Sequence, residues 1–248
     1  MRFHYHTTGS TGWITMVNPP TNALVHPVFA EKEELRSFLD NRELKAVILR
    51  GEGRHFCSGA DPESFAGSFR DASALQDALQ SAKELLQLIS FAPIPVAAMI
   101  SGSCLGGGLE IALACHFRFA AKTAMFGFPE CSHTLMPGMG GTLASRQLLP
   151  RHLIDLILSG RMIGAAEALQ MGLVDFVSPA KKIEEEAIRF LEALTASHPP
   201  KLIRAVMRSI HNGRRMPMEE ALAEETRLFC ELAQDVVTME SEQKSVKP

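Results

Sequence analysis

The stretch VAAMISGSCLGGGLEIALA, residues 96–114, decides the fold class. Residues 96–100 form a short apolar run without charge, which predicts a strand buried on both faces. Three consecutive glycines follow at 106–108, and residues 107–114 carry one charge, on Glu110, in a pattern that favours a helix. A buried strand that passes through a glycine turn into a helix is typical of an α/β core.

The same region raises the question of a membrane span. From Phe91 to Leu109 there is no charged residue, which is long enough to cross a bilayer. However, this stretch contains Pro93, Pro95 and four glycines, which a lipid-facing helix would have to accommodate. A strand, a turn and a helix start explain these residues better, so we predict no membrane segment. The first ten residues also lack the apolar region of a secretory signal.

The composition excludes several classes of protein. Of the 248 residues, 46% are hydrophobic and 21% are charged, which is ordinary for a globular chain and unlike disordered or fibrous proteins. Lys and Arg together number 25 against 28 for Asp and Glu, so the formal net charge is -3. Because no basic excess is present to hold a phosphate backbone, we expect no nucleic-acid partner.

The cysteine and histidine residues show no metal-binding pattern. The five cysteines are odd in number and scattered, with no C-x-x-C pair, which argues against a disulfide framework and a structural zinc site. The nine histidines have no ligand spacing either. This usage fits a reducing compartment, so we predict no metal and a cytoplasmic location.

Short apolar runs alternate with amphipathic segments along the rest of the chain, which indicates strands alternating with helices. Further strands are predicted at 3–7, 13–17, 46–49, 117–120, 123–126 and 174–177. Further helices are predicted at 28–39, 71–90, 141–148, 151–159 and 164–171. After about residue 180 the pattern is helical only. The break at His198-Pro199-Pro200 therefore predicts an α/β core at 1–197 and a C-terminal helical region at 198–248.

Two amphipathic segments of the C-terminal region must bury their apolar stripes. Segment 201–211 places Leu202, Val206 and Ile210 four residues apart, and segment 218–232 carries a second stripe. Such stripes pack either against the parent core or at a subunit interface. The sequence leaves both alternatives open.

Three patches carry the residues with the most chemical meaning. They are FCSGAD at 56–61, GSCLGGGLE at 102–110, and FPE at 128–130 followed by PGMGGT at 137–142. Adjacent glycines cost a helix about 1 kcal/mol each relative to alanine, so they indicate backbone that approaches a ligand closely or takes an unusual φ. At a helix start, free N–H groups and the helix dipole also favour negative charge.

Two glutamates in these patches are candidate acids or bases. Glu110 lies among apolar neighbours in the first turn of the predicted helix, where partial desolvation should raise the pKa of its carboxyl group. The alternative is a partner for the helix dipole, worth about 0.3–1 kcal/mol. A capping box is excluded because Gly107 lies three residues earlier. Glu130 follows a proline at a turn and, taken alone, is typical of an exposed helix start.

Taken together, these patches resemble the crotonase family of enoyl-CoA hydratases and isomerases. The segment NPPTNAL at 18–24, the three patches, and SGRMIGAAEALQMGLVDFV at 159–177 follow in the family's order and spacing. Each motif alone is modest, but five in register are specific. The resemblance implies a crotonase-like spiral of ββα units, acyl-CoA thioester substrates, and a homotrimer or dimer of trimers that uses the C-terminal helices.

The resemblance also implies roles for individual residues. In the family, two backbone N–H groups hold the thioester oxygen, and the matching positions here are Ala60 and Gly107. The loop from Ser58 to Asp61 matches the part that wraps the adenine of coenzyme A. The implied substrate and CoA contacts are Ser58, Gly59, Ala60, Asp61, Gly106 and Gly107. The stretch 64–72, which has its own phenylalanines, resembles the family's acyl-pocket loop, and Pro62 departs from the usual pattern.

The family's hydratases carry two glutamates, and the matching positions are Glu110 and Glu130. One carboxylate takes a proton from water while a proton is delivered to C2, so two carboxyl groups around one water suit this addition. We therefore predict an enzyme, an enoyl-CoA hydratase, which reversibly adds water in syn fashion to a 2-enoyl-CoA and yields a 3-hydroxyacyl-CoA. The resemblance implies no metal or redox cofactor, since coenzyme A is part of the substrate.

Three alternatives remain at this stage. A double-bond isomerase needs only one carboxylate to move a proton. A specialised hydratase or hydrolase would act on cyclic or dienoyl-CoA thioesters. A catalytically silent binding protein could share the same fold and bind thioesters without turnover.

Overall fold

The computed structural model describes residues 2–25, 32–61, 63, 71–146 and 148–245. Its strands are β1 (Arg2–Thr8), β2 (Thr11–Val17), β3 (Ala46–Gly51), β4 (Val96–Ile100), β5 (Ser103–Leu105), β6 (Phe117–Ala121), β7 (Met125–Gly127), β8 (Ile163–Gly164) and β9 (Phe176–Ser178). Its helices are α1 (Lys32–Asp40), α2 (Ala72–Ser90), α3 (Gly107–Ala114), α4 (Pro150–Ser159), α5 (Ala165–Gln170), α6 (Ile183–Thr195), α7 (Pro200–Arg215) and α8 (Met218–Ser245). Two short 3₁₀ helices span Pro129–His133 and Gly141–Arg146. The start of the predicted first helix, at 28–31, and the positions 62 and 64–70 lie outside the described residues.

The larger sheet contains the strands that were predicted from continuous apolar runs. Its order is β1-β2-β3-β4-β6-β9, with β1 and β2 antiparallel and all the other neighbours parallel. Every residue of β4 is buried, as are the first four residues of β3. Burial on both faces explains why these strands show no polar alternation. The strands predicted at 3–7 and 13–17, both buried strands and the α/β class are confirmed.

A second, three-stranded sheet has the order β5-β7-β8. The chain passes from β4 in the large sheet to β5 in the small sheet and then directly into α3. It repeats this step from β6 to β7. The strand–strand–helix unit that the resemblance implies is therefore present, and it places the start of α3 where the two sheets meet.

Close backbone packing fixes α3 against the loop that follows β3. A Cβ atom on Gly108 would lie 2.4 Å from the carbonyl oxygen of Cys57, so only glycine allows this approach. Cys57 also pairs with Cys104 as an isolated bridge, and it donates to Ser103 O at 3.0 Å. As a result, the first patch is held directly against the glycine turn of the second patch.

Two predicted strands begin later than the apolar runs suggested. The run at 174–177 is a strand only over Phe176–Ser178, because the Leu173 and Val174 amides donate to Ala168 O and close the end of α5. The run at 123–126 becomes Met125–Gly127, since the Ala124 amide donates to Ala121 O and closes a turn before the strand. The predicted helix at 141–148 is a 3₁₀ helix that spans Gly141–Arg146.

The C-terminal helices meet the core through a different stripe from the predicted one. Ile203, Met207 and His211 are the buried residues of α7, and His211 Nε2 lies 3.0 Å from the Ala92 carbonyl oxygen. The predicted stripe is displaced by one residue, and Val206 and Ile210 are 48% and 55% exposed. Packing of that stripe on the parent core is therefore not observed. The assignment of residues 198–248 to a separate region stays a prediction.

Within the described ranges, no helix combines the length and the apolar content needed to cross a bilayer.

Candidate active site

A glycine turn holds the first patch beside the start of α3. Gly59 has φ of +92°, and a Cβ on it would lie 2.8 Å from the Leu105 carbonyl oxygen. Glycine alone tolerates both the positive φ and the close contact. The Leu24 amide donates to Gly59 O at 2.8 Å, and the Asp61 amide donates to Leu24 O at 2.9 Å. Ala60 is therefore fixed between two backbone hydrogen bonds.

The two amides assigned by resemblance are free to bind an external acceptor. Among the described residues, neither the Ala60 N–H nor the Gly107 N–H donates a hydrogen bond. Gly107 is the first residue of α3, so its N–H has no acceptor within the helix. Leu24 lies against both positions, because its backbone forms an isolated bridge with Ala60 and its Cδ1 would lie 2.6 Å from a Cβ on Gly107. The first two patches therefore come together around Leu24.

Glu110 is the only buried acid among the residues that the structure describes, with 4% of its surface exposed. Its Oε1 accepts hydrogen bonds from the Met139 amide at 2.8 Å and the Gly141 amide at 2.7 Å. Burial raises the pKa of this carboxyl group, and the two amides partly offset that rise. The raised pKa is confirmed, whereas a role as dipole partner of its own helix is not observed. The side chain reaches a separate loop instead.

The Met139 and Gly141 amides are contacts that the sequence reasoning missed. They belong to the PGMGGT motif, which was singled out but given no role. A Cβ on Gly141 would lie 2.8 Å from the Phe128 ring, so the loop is packed tightly on the FPE patch. The sequence signal that could have revealed these contacts is the density of glycines in the motif. Closely spaced glycines allow backbone N–H groups to approach an acceptor such as a carboxylate.

Glu130 lies in the 3₁₀ helix Pro129–His133 and is half-buried. The expectation of an exposed helix start is wrong, because the short helix folds back over the start of α3. Its Oε1 would lie 2.7 Å from a Cβ on Gly106, which has φ of +49°. Its Oε2 is buried and has no hydrogen-bond partner among the described residues. Burial, with a further contribution from the charge of Glu110, raises the pKa of Glu130 to about 7.

The two glutamates converge on adjacent glycines at one helix end. Glu130 Oε1 contacts the position of a Cβ on Gly106, and Glu110 Oε2 lies 3.9 Å from a Cβ on Gly107. The charge of Glu110 makes a smaller contribution than burial to the raised pKa of Glu130, which indicates that the two carboxyl groups lie near each other. The two carboxyl groups therefore both lie at the start of α3, where Gly107 is the first helical residue.

The remaining residues of the first patch tie the loop to the N-terminal segment. Ser58 Oγ donates to Thr21 Oγ1 at 3.0 Å, and the Ser58 amide donates to Thr21 O at 3.1 Å. Asn22, fully buried, has φ of +54°, and its side-chain amide donates to the carbonyl oxygens of Glu52 and His55. The NPPTNAL motif thus fixes the loop, a role that sequence reasoning did not assign.

No group of three or more His, Cys, Asp or Glu side chains is placed to hold a metal ion within the described part of the chain. The five cysteines are all free thiols.

Comparisons with known proteins agree with this architecture. The family model for enoyl-CoA hydratase/isomerase matches residues 6–246. A probable enoyl-CoA hydratase of Bacillus subtilis (strain 168) is 35% identical over 229 residues, which is 88% of this chain and 85% of that protein. The peroxisomal bifunctional enzyme of Cavia porcellus is 37% identical over 193 residues, but this match spans only 25% of that longer protein. A crystal structure of enoyl-CoA hydratase from Bacillus anthracis has a TM-score of 0.83 at 30% identity, covering 100% of this chain and 98% of the other.

The chain therefore belongs to the enoyl-CoA hydratase/isomerase family, also called the crotonase family, and is an enzyme.

Proposed function

We propose that this protein is an enoyl-CoA hydratase, which adds water reversibly and in syn fashion to a 2-enoyl-CoA to give a 3-hydroxyacyl-CoA. One observation carries the proposal: the carboxyl groups of Glu110 and Glu130 converge at the start of α3, beside the free amide of Gly107. Two acids can position one water and handle two proton transfers, whereas an isomerase needs only one.

The amides of Ala60 and Gly107 form the proposed oxyanion hole. The thioester oxygen accepts hydrogen bonds from both N–H groups, and its negative charge grows as the reaction passes through an enolate-like state. A preorganised donor of this kind is worth about 2.7–4 kcal/mol in comparable sites. The fixed loop geometry at Gly59 supports this role, because donors held in place need no reorganisation during the reaction.

The two carboxyl groups differ in their surroundings, which suggests a division of roles. The amides of Met139 and Gly141 stabilise the ionised form of Glu110. Glu110 then takes a proton from water as the hydroxyl oxygen bonds to C3. For Glu130, burial outweighs a hydrogen bond from its own backbone N–H, so this carboxyl group retains a proton until the pH approaches 7. It delivers this proton to C2, and transfer of the proton from Glu110 to Glu130 restores the pair.

Product analysis tests this assignment directly. Incubation of a 2-enoyl-CoA in ¹⁸O-labelled water is expected to give 3-hydroxyacyl-CoA that carries the label. Conversion of a 3-enoyl-CoA to a 2-enoyl-CoA, with no hydroxyacyl product from either, would instead identify an isomerase. Binding of these thioesters without any turnover would identify a silent binding protein.

The pH dependence of hydration should report the protonation of both carboxyl groups. Glu130 must be protonated to donate, and its pKa is raised from 4.5 to about 7. We therefore expect kcat/KM to fall as the pH rises through about 7, and to fall again at low pH where Glu110 becomes protonated. The measurement is a kcat/KM profile with one thioester, compared with the Glu130→Gln variant. The descending limb near 7 should be absent from the residual activity of that variant, and its persistence would assign the limb to another group.

We also propose a cytoplasmic location and assembly as a homotrimer or a dimer of trimers. The outward stripe of α7 supports the assembly, because Val206 and Ile210 are largely exposed, and Phe229 of α8 is 71% exposed.

A further inference from the structure

Beyond Glu110, the proposed active site continues into a cleft of about 420 Å³ between α2, α3 and the end of α7. The cleft is lined by Glu110 and Met139 at one end and by Arg214 and Arg215 at the other. Its volume is within the range of pockets that hold small-molecule ligands. The cleft is therefore continuous with the site through Glu110. Its other end carries positively charged side chains.

One face of α3 leads from the oxyanion position into this cleft. Gly107, Glu110, Leu113 and Ala114 are spaced three or four residues apart, so they lie along the same face of the helix. At a rise of 1.5 Å per residue, Gly107 and Ala114 are about 10 Å apart along the axis. An acyl chain that begins at Gly107 would pass Glu110 at its reacting carbons. It would then follow the apolar wall formed by Leu113, Ala114 and, from α2, Leu86.

Three cations, Lys83, Arg214 and Arg215, line the cleft, and Glu110 is the only acid among the described residues that do so. The charge of Lys83 acts on Glu110 and opposes the rise in the pKa of that carboxyl group, whereas Arg214 and Arg215 lie at the end of α7. None of these cations forms an ion pair within the described part of the chain. The Arg215 guanidinium lies 4.3 Å from the centroid of the Phe91 ring, which holds it in place. A purely hydrocarbon tail offers nothing to these charges, whereas a carboxylate does.

Building on the proposed hydratase function, we propose that the preferred substrates are 2-enoyl-CoA thioesters of medium length whose acyl chain ends in a second carboxylate. Water adds across the C2=C3 bond as before, and the distal carboxylate is unchanged by the reaction. Its binding by Lys83 and Arg214 sets specificity. Arg215 also borders a neighbouring cleft that contains Asp40 and Glu84, so it is the less informative position to test.

Matched pairs of thioesters isolate the contribution of the distal group. We would compare kcat/KM for 2-hexenedioyl-CoA with 2-hexenoyl-CoA, and for 2-octenedioyl-CoA with 2-octenoyl-CoA. For the better pair, the dicarboxylate is expected to be favoured about tenfold. The double variant Lys83→Gln/Arg214→Gln should bring this ratio close to one. Because both members of a pair share the reacting bond, any effect of Lys83 on Glu110 cancels in the ratio.

Arg208→Gln serves as the matched control. Arg208 lies on the same helix, but it forms an ion pair with Glu224 of α8 and does not line the cleft. This variant removes a charge and loosens the helix pair, yet it should retain the preference. Equal loss of the preference in Arg208→Gln would assign the effect to helix packing and overturn the proposal.

The remaining outcomes separate this proposal from the proposed function. Hydration of both thioesters at similar rates by the unaltered protein would overturn the dicarboxylate preference and leave the hydratase intact. If neither thioester is hydrated, the proposed function fails. Calorimetric binding of adipoyl-CoA and hexanoyl-CoA then tests whether the cleft binds a distal carboxylate. Tighter binding of adipoyl-CoA that the double variant abolishes would support a carboxylate site in the cleft, and equal binding of the two thioesters would overturn it. A changed assembly state in light scattering, with an unchanged ratio, would assign the cations to a subunit contact and also overturn it.

Discussion

Replacing Glu110 with glutamine is expected to lower kcat for hydration of a 2-enoyl-CoA such as crotonyl-CoA by about a thousandfold. Glutamine has the same shape, and its carbonyl oxygen can still accept from the Met139 and Gly141 amides. It cannot take a proton from water, so the step that forms the C3–O bond loses its base. The loss should therefore fall on kcat, with KM changed much less.

Stability provides an independent readout for the same variant. Burial raises the pKa of Glu110, which means that the folded state disfavours its ionised form at neutral pH. A neutral glutamine should thus leave the free energy of unfolding undiminished, and a collapse of activity could not be attributed to unfolding. Glu192→Gln, at an exposed position of α6, is the control and should retain full activity. If Glu110→Gln hydrated crotonyl-CoA at a rate near that of the control, the base would have to lie elsewhere.

The fold was predictable where burial is uniform along an element. The runs at 46–49 and 96–100 contain only apolar residues, and both are strands covered on two faces. The glycine triplet at 106–108 predicted an unusual backbone, and the structure gives a physical reason at two of the three positions. Gly106 has positive φ, and Gly108 packs directly on a carbonyl oxygen.

The partners of the acids could not be predicted, because they depend on tertiary contacts. The Met139 amide that binds Glu110 lies 29 residues further along the chain, on a loop with no regular periodicity. The burial of Glu130 has the same origin, since it depends on how the FPE turn folds back on Gly106. Local sequence reports the exposure that a turn usually has, and here the neighbouring helix overrides that expectation.

The C-terminal helices illustrate a further limit. The four-residue spacing of Leu202, Val206 and Ile210 identifies an apolar stripe correctly, but it does not say which stripe faces the core. The stripe that faces the core is displaced by one residue and consists of Ile203, Met207 and His211. Because His211 is polar, a search for apolar faces does not identify this stripe. The hydrogen-bond contact of His211 with the Ala92 carbonyl satisfies one ring nitrogen and makes that burial possible.

The second large effect is expected when proline replaces Gly107, which removes the N–H group proposed to hold the thioester oxygen. Position 107 is the first residue of α3, where proline is well tolerated because its missing N–H has no helical acceptor. The preceding residue, Gly106, has φ of +49° and lacks a Cβ, so the clash that proline imposes on its neighbour is reduced. We expect kcat to fall about a hundredfold or more, in line with loss of one oxyanion donor.

Gly107→Ala is the matched control, because it adds the same Cβ and keeps the N–H. That Cβ would meet Leu24 Cδ1 at 2.6 Å and Met139 Cε at 2.8 Å, both of which are ends of flexible side chains that can move aside. The ratio of kcat between the alanine and proline variants therefore corrects for crowding by the Cβ, and what remains is replacement of the N–H by the ring carbon of proline. Since charge on the thioester oxygen grows mainly in the transition state, the ratio should be larger for kcat than for the binding of saturated butyryl-CoA. Equal kcat values for the two variants would show that the amide of Gly107 does not stabilise the reacting oxygen, even with both glutamates in place.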